Sequence, residues 1–182
     1  VDMGAPRRML RLLQGDVGSG KTVVALLAMA VAVEAGAQAA LMAPTEVLAR
    51  QHVETIAPLA DHAGLNIGLL TGREKGRTRD EILGRLASGE IDILIGTHAL
   101  FQDDVVFRDL AFAVIDEQHR FGVHQRLALT AKGEAVDLLV MTATPIPRTL
   151  VLTWFGDMES SQLTEKPAGR KPVDTRIVAL DR

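Results

Sequence analysis

"LRLLQGDVGSGKTVVALLA", residues 10–28, sets Gly15, Gly18, Gly20 and a lysine, Lys21, between two apolar runs. A segment that only had to be buried would gain nothing from that interruption. Residues Gly15 to Thr22, GDVGSGKT, fit the pattern G-x-x-x-x-G-K-[ST], with a strand-like run before it and a helix-like run after it. Glycines let successive backbone N–H groups turn inward toward phosphate oxygens. The helix that follows adds its unpaired N-terminal donors and the positive end of its dipole. Gly15, Asp16, Val17, Gly18, Ser19, Gly20, Lys21 and Thr22 are therefore candidate nucleotide ligands. In this pattern the lysine reaches the β and γ phosphates and the threonine hydroxyl takes Mg²⁺.

Outward from this loop, short apolar runs recur: MLRLLQ (9–14), AALMAP (39–44), NIGLLTG (66–72), IDILIGT (91–97), AFAVIDE (111–117) and DLLVMTAT (137–144). Each reads as a buried strand. Between them, helical spacing runs from Lys21 to Ala35, Glu46 to His62 and Thr78 to Ala87, stopped by Gly36, Gly64 and Gly89. Such alternation predicts an α/β fold, a mainly parallel sheet with helices on both faces, because parallel strands need crossover connections. A weaker helix is expected over 147–156, and Trp154 within it reads as core or interface. The tail from 165, rich in Pro, Gly and charge, reads as a linker. We place one domain at 1–164 and the linker, or the start of a further lobe, at 165–182.

A bound triphosphate needs a metal anchor and a group to orient water, both at the carboxyl ends of strands. The apolar run AFAVI leads straight into Asp116 and Glu117. Asp116 is the candidate for holding Mg²⁺ and Glu117 the candidate general base. An isolated Asp-Glu pair would be a solvated strand end; the phosphate loop upstream favours the catalytic reading. ATP with Mg²⁺ is thus the expected cofactor. A GTP-binding protein would be expected to carry an Asn-Lys-x-Asp motif, and the sequence has none.

Composition bounds the rest. The chain has 182 residues, 47% hydrophobic and 24% charged, with no cysteine and a net charge of −3. Those values suit a globular domain in a reducing compartment, and the cytoplasm is the expected location. The longest apolar run, Val23 to Val33, is too short to span a bilayer, so no membrane role is expected. The charge argues against a broad basic face for nucleic acid, so contacts with a strand would be local. Arg73, Lys75, Arg77 and Arg79 form a basic cluster that reads first as a solvated loop.

Five blocks in register, GDVGSGKTVVA, MAPTEVLARQH, GTHALFQ, DEQHRFGVHQRLAL and MTATPIPRTL, resemble the first motor domain of superfamily 2 helicases. More narrowly they resemble the RecG family of translocases that remodel branched DNA. Transcription-repair coupling factors share several of these blocks. There, however, the acidic motif usually reads Asp-Glu-Glu-His, whereas this chain has Asp116-Glu117-Gln118-His119. The resemblance implies a three-layer RecA-like P-loop NTPase fold and catalytic roles for Lys21 and Glu117. It also implies that Pro44, Thr45, Thr71, Gly72, Thr97 and His98 grip a DNA strand through its phosphates, contacts that carry no sequence information. Thr45 would in addition cap the helix that starts at Glu46. His119, Thr142 and Thr144 match residues that couple the γ-phosphate site to the DNA site. Arg120, Phe121, His124 and Arg148 belong to the resemblance without an assigned chemistry.

Beyond these residues the resemblance implies a wedge domain that recognises the branch and a second motor lobe that supplies arginine fingers. Losing such a finger costs about 10³ to 10⁵ in rate, so these 182 residues alone are expected to bind nucleotide weakly and hydrolyse it hardly at all. Branched DNA is the implied partner and a monomer the expected state. A noncatalytic nucleotide-sensing module is the alternative, disfavoured by the intact Asp116 and Glu117.

Overall fold

Successive residues of the central strands feed two separate cores. Leu12, Ala40, Met42, Leu94, Ala113, Ile115 and Val140 point to one face. Leu13, Ala39, Leu41, Ile95, Phe112, Val114 and Met141 point to the other. Strands buried on both faces are continuous apolar runs, as these are. A computed structural model describes Met3 and residues 8–116, 131–133, 135–144 and 158–165.

The elements are β1 (Leu10–Gly15), α1 (Lys21–Glu34), β2 (Gln38–Met42), α2 (Glu46–Ala63), β3 (Ile67–Leu70), α3 (Gly76–Ser88), β4 (Ile93–Gly96), β5 (Leu110–Asp116), β6 (Asp137–Thr142) and β7 (Glu159–Leu163). A short 3-10 turn, His98–Phe101, follows β4. The strands form one sheet in the order β3-β4-β2-β5-β6-β1-β7, and every pairing in it is parallel. Ala25, Leu26 and Met29 of α1 and Ala49, Ile56 and Ala60 of α2 cover one face, while Leu86 of α3 packs on the other. The predicted α/β architecture with helices on both faces is what the structure has.

Most element boundaries fall within a residue or two of those read from the apolar runs. β7, sequence ESSQL, is the exception: it is polar and largely exposed, and no apolar run announces it. Backbone pairing with β1 holds it, and side chains reinforce the ladder. Arg11 donates to Ser161 Oγ at 2.7 Å and pairs with Glu159, and Gln162 Nε2 donates to Gln14 Oε1 at 2.9 Å. The helix expected over 147–156 and the linker beyond 165 lie outside the described residues.

Because all strands run the same way, their carboxyl ends share one edge of the sheet. β1, β6 and β5 are consecutive there, with Gln14 opposite Thr142 and Met141 opposite Asp116. β2, β4 and β3 occupy the remaining stretch of the same edge.

Candidate nucleotide site and nucleic-acid edge

The phosphate loop starts where β1 stops. Its last turn is set by Gly20, whose φ of 91° lies in the left-handed region that favours glycine, immediately before α1. Gly15 is required for a different reason. A Cβ there would lie 2.4 Å from Ser19 Oγ and 3.1 Å from Leu163 Cβ, so the cradle closes only around a bare backbone.

Two polar groups in the loop are arranged for an anion. Lys21 Nζ donates to the carbonyls of Gly15 at 2.7 Å and Asp16 at 3.0 Å, so the cation folds over the loop. Ser19 Oγ is buried and has no hydrogen-bond partner among the described residues. A buried hydroxyl without a partner carries a desolvation cost that a bound phosphate oxygen would remove. The loop is tied by Ser19 N–H to the Asp16 carbonyl at 3.1 Å and by Val17 N–H to Asp16 Oδ1 at 2.8 Å. Thr22 stands in the first turn of α1, so its hydroxyl is carried at the helix terminus that faces the loop.

Asp116 closes β5, 8% exposed, two strands from the loop with β6 between. At ordinary strand spacing that separation is about 10 Å, a span that a polyphosphate with its metal can bridge. Among the described residues no three His, Asp or Glu side chains gather as a metal cage. A hard divalent cation held by one hydroxyl and one carboxylate, with phosphate and water completing its shell, needs no such cage. The loop and Asp116 therefore fit Mg-nucleotide.

Asp116 also has a partner that local spacing could not reveal. His52, in the second turn of α2, lies with Nε2 at 2.8 Å from Asp116 Oδ2, and both side chains are nearly buried. Beside Asp116, β6 ends in Thr142, fully buried. Its hydroxyl oxygen accepts the Thr144 N–H at 3.2 Å and lies 3.1 Å from Thr144 Oγ1. Thr142 and Thr144 thus form one hydrogen-bonded turn at the strand end. Glu117 and His119 lie outside the described residues, as do Arg120, Phe121, His124, Arg148 and Trp154.

The six residues assigned to a DNA strand sit on three adjacent loops, after β2, β3 and β4. Backbone bonds knit these loops: Ala43 N–H to the Gly96 carbonyl at 2.8 Å and Thr97 N–H to the Leu70 carbonyl at 3.3 Å. Gly72 and His98 are exposed and Pro44 and Thr45 half-buried. Thr45 caps α2, accepting Leu48 N–H at 3.3 Å. Thr71 and Thr97 differ: both are buried, so their hydroxyls do not face solvent. Thr71 donates both its N–H and its hydroxyl to Glu74 Oε2 at 2.6 Å, which makes it a support of the loop.

Glu74 in turn accepts from Arg50. Burial pushes the Glu74 carboxyl up, but the Thr71 donors, its own backbone and the Arg50 guanidinium outweigh burial and hold it below its ordinary value. The basic cluster is largely paired: Arg73 with Glu46, Arg77 with Glu81 and Arg79 with Asp104.

Residues 6–152 match the DEAD/DEAH box helicase family, and the chain belongs to that family. It is 56% identical over 181 residues to the ATP-dependent DNA helicase RecG of Bacillus subtilis (strain 168), covering 100% of this chain and 26% of that protein. The RecG of Streptococcus pneumoniae serotype 4 is 58% identical over 178 residues, with 98% and 26% covered. The chain thus spans about a quarter of the length of these relatives. A solved structure of RecG bound to a three-way DNA junction superposes with a TM-score of 0.80 at 47% identity, over 94% of this chain and 23% of that one. The helicase domain of Pyrococcus furiosus Hef shares the fold, with a TM-score of 0.66 at 21% identity over 86% and 35%. Of the two narrower resemblances in the motifs, these relatives bear out the one to RecG.

Proposed function

We propose that the chain is the ATP-binding motor lobe of an ATP-dependent DNA helicase that remodels branched DNA. The observation that carries this reading is the division of one sheet edge. The ends of β1, β6 and β5 bear the phosphate loop, Thr142 and Asp116. The ends of β2, β4 and β3 bear Pro44, Thr45, Gly72 and His98. An enzyme acting on a small phosphate acceptor would not need the second set.

In this reading Lys21 would leave the Gly15 and Asp16 carbonyls for the β and γ phosphates, and the loop N–H groups would hold phosphate oxygens. Thr22 and Asp116 would hold Mg²⁺, which supplies neutralisation of charge on the phosphates. Glu117 accepts the proton of the attacking water. His119 with the Thr142–Thr144 turn links that event to the neighbouring loops, which hold strand phosphates through Pro44, Thr45, Gly72 and His98 without reading bases. A second motor lobe and a branch-recognising domain of the same polypeptide complete the motor, in the cytoplasm and as a monomer.

The experiment is Lys21→Ala in the full-length protein, followed by fork binding and ATP-driven fork reversal. Binding is expected to survive and reversal to vanish. Reversal at the wild-type rate would overturn the assignment.

A further inference from the structure

We propose that His52 positions Asp116 for the metal and ties that carboxylate to the helix whose first turn carries a candidate DNA loop. The inference rests on the assignment of Asp116 above. Nε2 of His52 lies 2.8 Å from Oδ2 of Asp116, at 9% and 8% residue exposure. An ionised carboxylate only accepts, so Nε2 carries the hydrogen and donates. A buried donor of this kind fixes the rotation of the carboxylate. Partners that orient a metal-binding group in this way typically matter by about 10- to 100-fold in metal affinity or activity.

The placement of His52 gives the contact a second consequence. α2 begins with Thr45 as its cap, and its buried residues Ala49, His52, Ile56 and Ala60 face the sheet. Seven residues, nearly two turns, separate Thr45 from His52, about 10 Å along one rigid rod. A strand phosphate pressing on the Pro44–Thr45 loop therefore bears on the same helix that holds Asp116. This path runs through α2 and is independent of His119, Thr142 and Thr144.

The test uses full-length protein and a fluorescent ADP, titrated with Mg²⁺ and again with chelator; the ratio of the two affinities measures what magnesium contributes. His52→Leu, which keeps bulk and loses the donor, is expected to lower that ratio by about 10- to 100-fold and to leave binding in chelator unchanged. His52→Gln can place an amide N–H near the position of Nε2 and is expected to restore the ratio. His52→Asn, one methylene shorter, is not. Should His52→Leu fail to fold, the Gln and Asn pair decides the question alone. The DNA concentration for half-maximal ATPase stimulation should rise in the Asn variant and recover in the Gln variant.

Equal magnesium ratios in wild type, Leu and Asn variants would overturn the proposal. So would a wild-type protein whose nucleotide binding ignores Mg²⁺, which would remove the role of Asp116 itself. A magnesium ratio that follows the expected pattern in a protein unable to reverse forks would instead support His52 and overturn the functional reading.

Discussion

Lys21 Nζ sits 2.7 Å from the carbonyl oxygen of Gly15, six residues back, so the cation that is to meet phosphate first holds the loop that is to cradle it. The loop is thereby kept near its working shape by a contact that the ligand would replace.

Lys21→Ala should separate these two duties. Both carbonyls can be hydrated when the lysine is removed, so the cost to stability is within about 1 kcal/mol. Nucleotide affinity should fall by about 10- to 100-fold, the worth of hydrogen bonds to a charged group. Chemical denaturation and titration with ADP check the two halves. A large loss of stability with little loss of affinity would contradict the argument.

Gly15→Ala tests the cradle. The added methyl would meet Ser19 Oγ at 2.4 Å, so either Ser19 or the loop must move. We expect nucleotide binding weakened with the sheet intact by circular dichroism. Removing the opposing oxygen in Gly15→Ala/Ser19→Ala should recover part of the loss, a coupling on the order of 1 kcal/mol. Strict additivity of the two changes would show that they do not collide.

Glu74 predicts a pH dependence. Its folded carboxyl titrates below its ordinary value, so its contribution is present above the unfolded value of about 4.3 and is lost as pH falls through the lower, folded value. Thr71 amide protection in hydrogen exchange should decline on acidification over that window. In Glu74→Gln it should be low and flat across the same range, with a local loss on the order of 1–3 kcal/mol. Undiminished protection in that variant would show that Glu74 does not hold the loop.

Gln38 is a structural counterpart. Its Nε2 donates to the carbonyls of Leu86 at 2.9 Å and Ile91 at 2.7 Å, and its Oε1 accepts Asp109 N–H at 3.1 Å. One buried amide thus joins the end of α3 to the strands beside it. Gln38→Leu should destabilise the chain by on the order of 2–4 kcal/mol, measured by denaturation, without altering the phosphate loop.

The pattern of success and failure in reading the sequence follows from what each element depends on. β2, β4, β5 and β6 were legible because strands covered on both faces must be apolar throughout, as ILIG and LAFAVID are. The phosphate loop was legible because its chemistry depends on backbone shape, which glycine spacing records. β7 was hidden because an edge strand is held by backbone pairing that leaves little mark on composition. His52 and Gln38 were hidden for another reason: each acts on a group 48 or more residues away, and spacing within one helix or strand carries no trace of such a partner. Thr71 was read as a contact residue from the family resemblance alone, which does not record which way a side chain turns, and its hydroxyl donates inward to Glu74.

The all-parallel ladder has a mechanical consequence. Each inner strand is bonded on both sides, and slipping one by a residue would exchange the side chains it sends to the two cores. The sheet therefore resists sliding of one strand past its neighbours. It works as a ruler, setting the distance between the end of its rim that carries the phosphate loop and the end that carries the loops after β2, β4 and β3. On the proposed function, what passes between the two ends would run along that rim, through side chains such as Thr142 and His52, and not by a shift of strand register.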